Sequence, residues 1–171
     1  VVKVEVKIMQ ADKNKVRYMI SLELCIGCET CEGVCAFLHD DRPNIRVYRT
    51  SQGVYIPINC MHCVKAPCME ACPANAIFRD EEDAVIIDPN KCIGCGMCLV
   101  VCPYGAPRFD DWLKAYTKCD LCRSLRYEGL NPGCVEMCPA NAIFYGDPDE
   151  IARKIGTRFA EKMFHSKIRG E

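Results

Sequence analysis

The chain has 171 residues, half of them hydrophobic, with 22 basic and 23 acidic side chains and a net charge of −1. That balance leaves no basic excess for nucleic acid, and no apolar run approaches the roughly 20 residues that span a bilayer. Aromatic residues are only 8% of the chain while cysteines number 16, so a conventional core is thin and disulfides or bound metal must supplement it.

In chain order, residues 1–9 alternate apolar and charged side chains, ADKNK at 11–15 is polar, and VRYMISL at 16–22 alternates again. Residues 1–20 are therefore expected to form an N-terminal β-hairpin, which either covers one end of the fold or offers an edge to a partner. The same N-terminus carries no secretory or twin-arginine pattern, so the expected compartment is the reducing cytoplasm, unless a partner carries an export signal for both. Beyond residue 21 the chain is punctuated by cysteine and proline. Short strands are expected at VYIPI (54–58) and AVIID (84–88), with helices of one or two turns after each cysteine-rich loop. From Asp147 the tail (147–171) reads as a C-terminal helix. Asp147 can cap it, Pro148 suits the first position and Glu150 completes a capping box. Ile151, Ile155, Phe159 and Met163 form a stripe that packs back on the body or docks on another subunit.

The cysteines fall into four groups with none left over. They are Cys25, Cys28, Cys31 and Cys35; Cys60, Cys63, Cys68 and Cys72; Cys92, Cys95, Cys98 and Cys102; and Cys119, Cys122, Cys134 and Cys138. The first and third groups have the C-x2-C-x2-C-x3-C spacing of bacterial ferredoxins. Three cysteines spaced by three residues wrap one cubane, and a fourth only four residues on points away to a neighbouring cluster. Pro73, Pro103 and Pro139 follow the last cysteine of three groups and help end that turn; Ala36 takes this place in the first. Cys25-Ile26-Gly27-Cys28 recurs at 92–95, and Cys72-Pro73-Ala74-Asn75-Ala76-Ile77-Phe78 recurs at 138–144, as duplication of one binding unit would leave them. A disulfide framework needs an oxidising compartment, and structural zinc prefers two cysteine pairs about one ion. Four [4Fe–4S] clusters fit all sixteen thiols. With their thiolates they take the net charge to roughly −9, to be screened by backbone N–H groups and by cations such as Lys91, Lys118 and Arg123.

Among the other residues, His39 and His62 stand near cysteines, where a ring N–H can donate to sulfur and tune a potential; the plainer reading of each is a packed or exposed histidine. Trp112 and Tyr104 are expected to pack rather than to carry electrons. No phosphate loop, triad or H-E-x-x-H motif is present, so no catalytic residue is assigned.

At CMHCVKAPCMEACP (60–73), CPYGAP (102–107), KCDLC (118–122) and the x11 spacing of the fourth group, the chain resembles the four-cluster, ferredoxin-like β subunits of molybdenum and tungsten oxidoreductases, such as those of formate dehydrogenase and dimethyl sulfoxide reductase. The resemblance covers residues 21–146. It implies that the first and fourth groups pair, as do the second and third. Cluster A would take Cys25, Cys28, Cys31 and Cys138; cluster B Cys35, Cys119, Cys122 and Cys134; cluster C Cys60, Cys63, Cys68 and Cys102; and cluster D Cys72, Cys92, Cys95 and Cys98, in the spatial order A–B–C–D. Many relatives are longer, with insertions and sometimes a C-terminal membrane anchor, neither of which is expected here.

The expected fold is α+β, with two ferredoxin-like lobes related by a pseudo-twofold and one inserted in the other. The lobes are 21–51 with 109–146 (clusters A and B) and 52–108 (clusters C and D). The expected function is a non-catalytic electron-transfer subunit. It relays electrons between a tungsto- or molybdopterin catalytic subunit, acting on an aldehyde or formate, and an external carrier such as ferredoxin. Cluster potentials span roughly −700 to +450 mV, so the direction of flow is not encoded in the spacing. The alternatives are a free polyferredoxin, an electron subunit of a hydrogenase or carbon-monoxide dehydrogenase, and, from another class, a structural zinc-binding interaction module.

Overall fold

Proline, glycine and cysteine interrupt every periodic run, so the elements are short. The computed structural model describes residues 17–169, with side chains as far as Met163. The expected first strand and turn of the N-terminal hairpin lie outside the described residues. The elements, in order, are β1 (Arg17–Ile20), α1 (Thr30–Leu38), β2 (Arg46–Arg49), β3 (Tyr55–Ile58), α2 (Pro67–Glu70), β4 (Ile77–Arg79), β5 (Val85–Ile87) and α3 (Met97–Val100). Then come β6 (Arg108–Asp110), β7 (Ala115–Thr117), α4 (Arg123–Tyr127), α5 (Gly133–Glu136), β8 (Ile143–Gly146) and α6 (Pro148–Arg169). The class is α+β. The described strands form four antiparallel pairs, β1–β8, β2–β3, β4–β5 and β6–β7.

The repeat in the sequence is a repeat in space. Each Cys-Ile-Gly-Cys follows a strand, β1 or β5, and each Cys-Pro-Ala-Asn-Ala-Ile-Phe runs into a strand, β8 or β4. Those strands pair within each copy, with Ile20 opposite Ile143 in one and Ile77 opposite Ile87 in the other. The strand expected at 16–22 is thus present, and its described partner is β8. The helices pair in the same sense, α1 with α5 and α2 with α3. At the first crossing a Cβ on Gly133 would come within 2.6 Å of Leu38 Cδ1.

Proline sets helix length. Where Pro73, Pro103 and Pro139 follow the last cysteine, α2, α3 and α5 span four residues each. With Ala36 in that place nothing removes a donor, and α1 runs on through Cys35 to Leu38, nine residues in all. It is longer than the one or two turns expected.

Asp147 caps α6 as expected, its Oδ1 accepting the N–H groups of Asp149 (2.9 Å) and Glu150 (3.1 Å). Ile151 is buried against the body, but Phe159 and Met163 are exposed. The stripe therefore packs only at its start. The 22-residue helix is roughly 33 Å long, whereas four-residue β8 offers roughly 13 Å beneath it.

The core joins both copies. Tyr18, Ala84, Ile86, Ala106, Leu121 and Ile143 cluster with Cys60, Cys119 and Cys134. A second cluster holds Ala66, Ile77, Val85 and Cys98. Few of these side chains are large, so cysteine sulfur sits where a globular core would place leucine or phenylalanine.

Candidate metal centres

Each group presents its thiols by the same local device. The third cysteine, Cys31, Cys68, Cys98 or Cys134, is the second residue of α1, α2, α3 or α5. It therefore stands in a first helical turn, whose N–H groups lack helical partners. The first two cysteines lie on a loop, which a left-handed residue bends: glycine in the first and third groups, His62 (φ 44°) and Leu121 (φ 56°) in the second and fourth. Gly27 and Gly94 share φ +69°. The first loop abuts the β2–β3 hairpin, since a Cβ on Gly27 would approach Tyr55 Cβ to 2.6 Å. The second abuts β6–β7, where a Cβ on Gly94 would sit 3.3 Å from Phe109.

The last cysteine of three groups opens a turn. The carbonyls of Cys72, Cys102 and Cys138 accept the N–H of Asn75, Gly105 and Asn141, three residues on, and those three residues are left-handed. Proline at the second turn position and Asn or Gly at φ > 0 suit that bend. It aims the next N–H, of Ala76, Ala106 or Ala142, at the thiol that opened the turn, at 3.2–3.5 Å. Cys35, without proline, instead receives the N–H of Asn44 at 3.2 Å. Cys60, Cys92 and Cys119 accept backbone N–H groups from His62, Tyr116 and Leu121. Such donors favour a charged sulfur.

Three cavities are lined by four cysteines each. One is bounded by Cys25, Cys28, Cys31 and Cys138, one by Cys60, Cys63, Cys68 and Cys102, and one by Cys72, Cys92, Cys95 and Cys98. Among the described residues no group of three or more His, Cys, Asp or Glu is spaced to hold a single metal ion. Four cysteine thiolates are the donor set of a cubane. Cys35, Cys119, Cys122 and Cys134 are all buried. Cys134 lies near enough to Cys35 and Cys122, and Cys119 near enough to Cys134, for a charge on one to oppose ionisation of the other.

The same coupling runs between the groups. Cys134 feels Cys31, Cys119 feels Cys60, and Cys98 feels Cys68. Burial dominates the thiols' own chemistry, pushing Cys31 and Cys98 up to about 11 and Cys134 up to about 12. Cluster binding must therefore displace protons from these groups.

The match to the family model described as "4Fe-4S dicluster domain" covers residues 51–148, more than half of the sequence. The protein belongs to this iron–sulfur family. A second model, "4Fe-4S binding domain", matches residues 22–38. The chain is 35% identical over 157 residues to the B subunit of the anaerobic dimethyl sulfoxide reductase of Escherichia coli, covering 81% of this chain and 77% of that one. It is 32% identical over 149 residues to "Thiosulfate reductase electron transfer subunit PhsB" of Salmonella typhi, 78% of each. It is also 33% identical over 169 residues to "Aliphatic sulfonate oxidoreductase, polyferredoxin-like subunit" of Pyrococcus furiosus, 84% of this chain and 94% of the relative. As a member of this family the protein binds [4Fe–4S] clusters and transfers electrons, and it is not a catalytic subunit.

In this iron–sulfur subunit the residues around the thiols divide in ways the sequence did not announce. The His39 imidazole stands beside the Cys122 and Cys35 thiols, which push it up to about 10. Burial alone would raise Cys35, but His39, with the backbone N–H groups of Asn44 and Ile45, brings it below the ordinary value. His62 is buried, and its Nδ1 accepts the Val85 N–H at 3.0 Å, the packed alternative. Trp112, expected to pack, is 85% exposed: Asp110 Oδ1 accepts the N–H groups of Trp112 and Leu113, and this turn carries the indole outward. Of the three cations expected to screen the clusters, Lys91 is exposed beside Asp88 and Arg123 lies over Tyr127 and Phe78. Only Lys118 is buried. Among the described residues no helix is long and apolar enough to cross a membrane.

Proposed function

We propose that the protein carries four [4Fe–4S] clusters, ligated as A (Cys25, Cys28, Cys31, Cys138), B (Cys35, Cys119, Cys122, Cys134), C (Cys60, Cys63, Cys68, Cys102) and D (Cys72, Cys92, Cys95, Cys98). They stand in the row A–B–C–D and relay electrons for a catalytic partner. The observation that carries this is the lining of the three four-cysteine cavities, each of which takes three thiols from one group and one from another. The electrostatic influence of thiols of successive sets on one another supports the row. When bound, each cluster supplies a one-electron couple. The protein's own part is to hold the thiolates, donate N–H groups to sulfur and keep neighbouring clusters close.

The two copies of the strand–helix repeat support two ferredoxin-like lobes related by a pseudo-twofold, 52–108 inserted between 21–51 and 109–146. The hairpins β2–β3 and β6–β7 stand at the two crossings. The partner is a molybdo- or tungstopterin catalytic subunit; the relatives are by name subunits of a dimethyl sulfoxide reductase and a thiosulfate reductase. The electrons pass to or from an external carrier such as ferredoxin, and the compartment is the cytoplasm, which keeps sixteen thiols reduced for assembly.

Two measurements test this. In reduced protein, Cys138→Ser and Cys31→Ser should alter the same EPR signal, and Cys35→Ser should alter the signal altered by Cys134→Ser. If Cys138→Ser instead shares its signal with Cys134→Ser, the pairing is wrong. Anaerobic isolation of the untagged protein from its native source should bring a pterin-containing protein with it; recovery alone would contradict the subunit role.

A further inference from the structure

Among the described residues two cations are buried, Lys118 and Arg126, each 5% exposed. Arg126 is neutralised locally by Asp80 and Glu82. Lys118 has no carboxylate partner among the described residues. Its Nζ donates to the carbonyls of Val85 and Cys119, which occupies two of an ammonium's three donors. A buried charge left with carbonyl dipoles alone is expensive, so a compensating negative charge is to be sought beside it.

Lys118 lines the cavity bounded by Cys60, Cys63, Cys68 and Cys102. It also stands at a junction, because it precedes Cys119 in sequence and holds Val85 across the core.

We propose that Lys118 is the built-in counter-charge of the cluster in this cavity and sets its reduction potential above the value the same thiolates would give alone. The inference rests on the assignment of cluster C above. With its four thiolates that cluster carries about −2 when oxidised and about −3 when reduced. The added electron comes from the neighbouring cluster in the row, and no proton accompanies it. A fixed cation stabilises the more negative state more strongly, so Lys118 makes this site the easier one to reduce. It is a positioning residue that acts through charge.

The test is an anaerobic redox titration of the holoprotein followed by EPR, with iron counted on the same samples. Cys68→Ser identifies the signal of cluster C. In K118M that one midpoint should fall by at least a factor of ten in the reduction equilibrium, about 59 mV for one electron, while the other midpoints stay in place. K118R should hold the wild-type value. An unchanged midpoint in K118M, or an equal fall at several clusters, overturns the inference. If K118M loses the cluster, K118R decides. Full iron with the wild-type midpoint supports a requirement for charge, and loss in K118R as well shows a packing role and overturns it. Failure of the cluster assignment is separable, because Cys63→Ser and Cys68→Ser would then disturb different signals.

Discussion

At the scale of single residues, backbone conformation governs the cluster loops more than side-chain chemistry does. Gly27 combines a left-handed φ with a wall, since any Cβ there meets Tyr55 at 2.6 Å. Gly27→Ala should therefore cost about 1–2 kcal/mol for the conformation alone, with a clash added, and should lower the iron content by about four atoms per molecule, one cubane. Gly156 is the control. It lies within α6, and a Cβ there would have nothing within 4 Å, so Gly156→Ala should raise stability by about 0.5–1 kcal/mol and leave the iron count alone. Iron analysis and anaerobic thermal unfolding of the two variants check both. The sequence made the loop glycines visible through the repeated Cys-Ile-Gly-Cys. It could not show what each glycine faces, because Tyr55 and Phe109 belong to hairpins distant in sequence.

At the scale of elements, short-range chemistry was legible and long-range pairing was not. Proline after three of the four last cysteines accompanies the short helices that were expected, whereas α1, with Ala36 in that place, runs past the one or two turns expected of it. Asp147 and Pro148 mark the start of α6. The strand β2 and the β6–β7 hairpin carry no such mark: three or four residues are too few for a period to register, and their pairing is made in tertiary structure. The junction of the copies was equally hidden. Arg126 of α4 reaches Asp80 and Glu82 at the β4–β5 turn, and Tyr145 of β8 donates to the same Glu82. In sequence these are ordinary surface charges; in the fold Arg126 and Asp80 side chains are 2% and 1% exposed. Removing one partner leaves the other buried and unpaired, so Arg126→Ala should cost about 3–5 kcal/mol. The open pair Lys91–Asp88 should yield about 0–1 kcal/mol to Lys91→Ala. Anaerobic unfolding midpoints of the two variants check the contrast.

At the scale of the molecule, the thiols replace a core. Both hydrophobic clusters include buried cysteine, and burial raises several thiols far above their ordinary range. Without iron these groups are neutral and fill little space; with it they are charged, ligated and enclosing a polyatomic core. Stability should therefore be metal-linked. Chelating iron from the holoprotein under reducing, anaerobic conditions should abolish cooperative unfolding, as near-ultraviolet circular dichroism would record, and a sharp transition in the iron-free protein would count against it. In the proposed four-cluster protein the charge goes from −1 to roughly −9, and the proposed role of the buried, carboxylate-free Lys118 is to offset part of it.

The decisive measurement is the metal inventory of the protein isolated without oxygen, taken together with its Mössbauer spectrum. Four cubanes require about 16 iron and about 16 acid-labile sulfide per molecule, with all of the iron in cubane form. About half that iron, or zinc in its place, in a protein that is nonetheless fully folded would contradict a four-cluster electron relay.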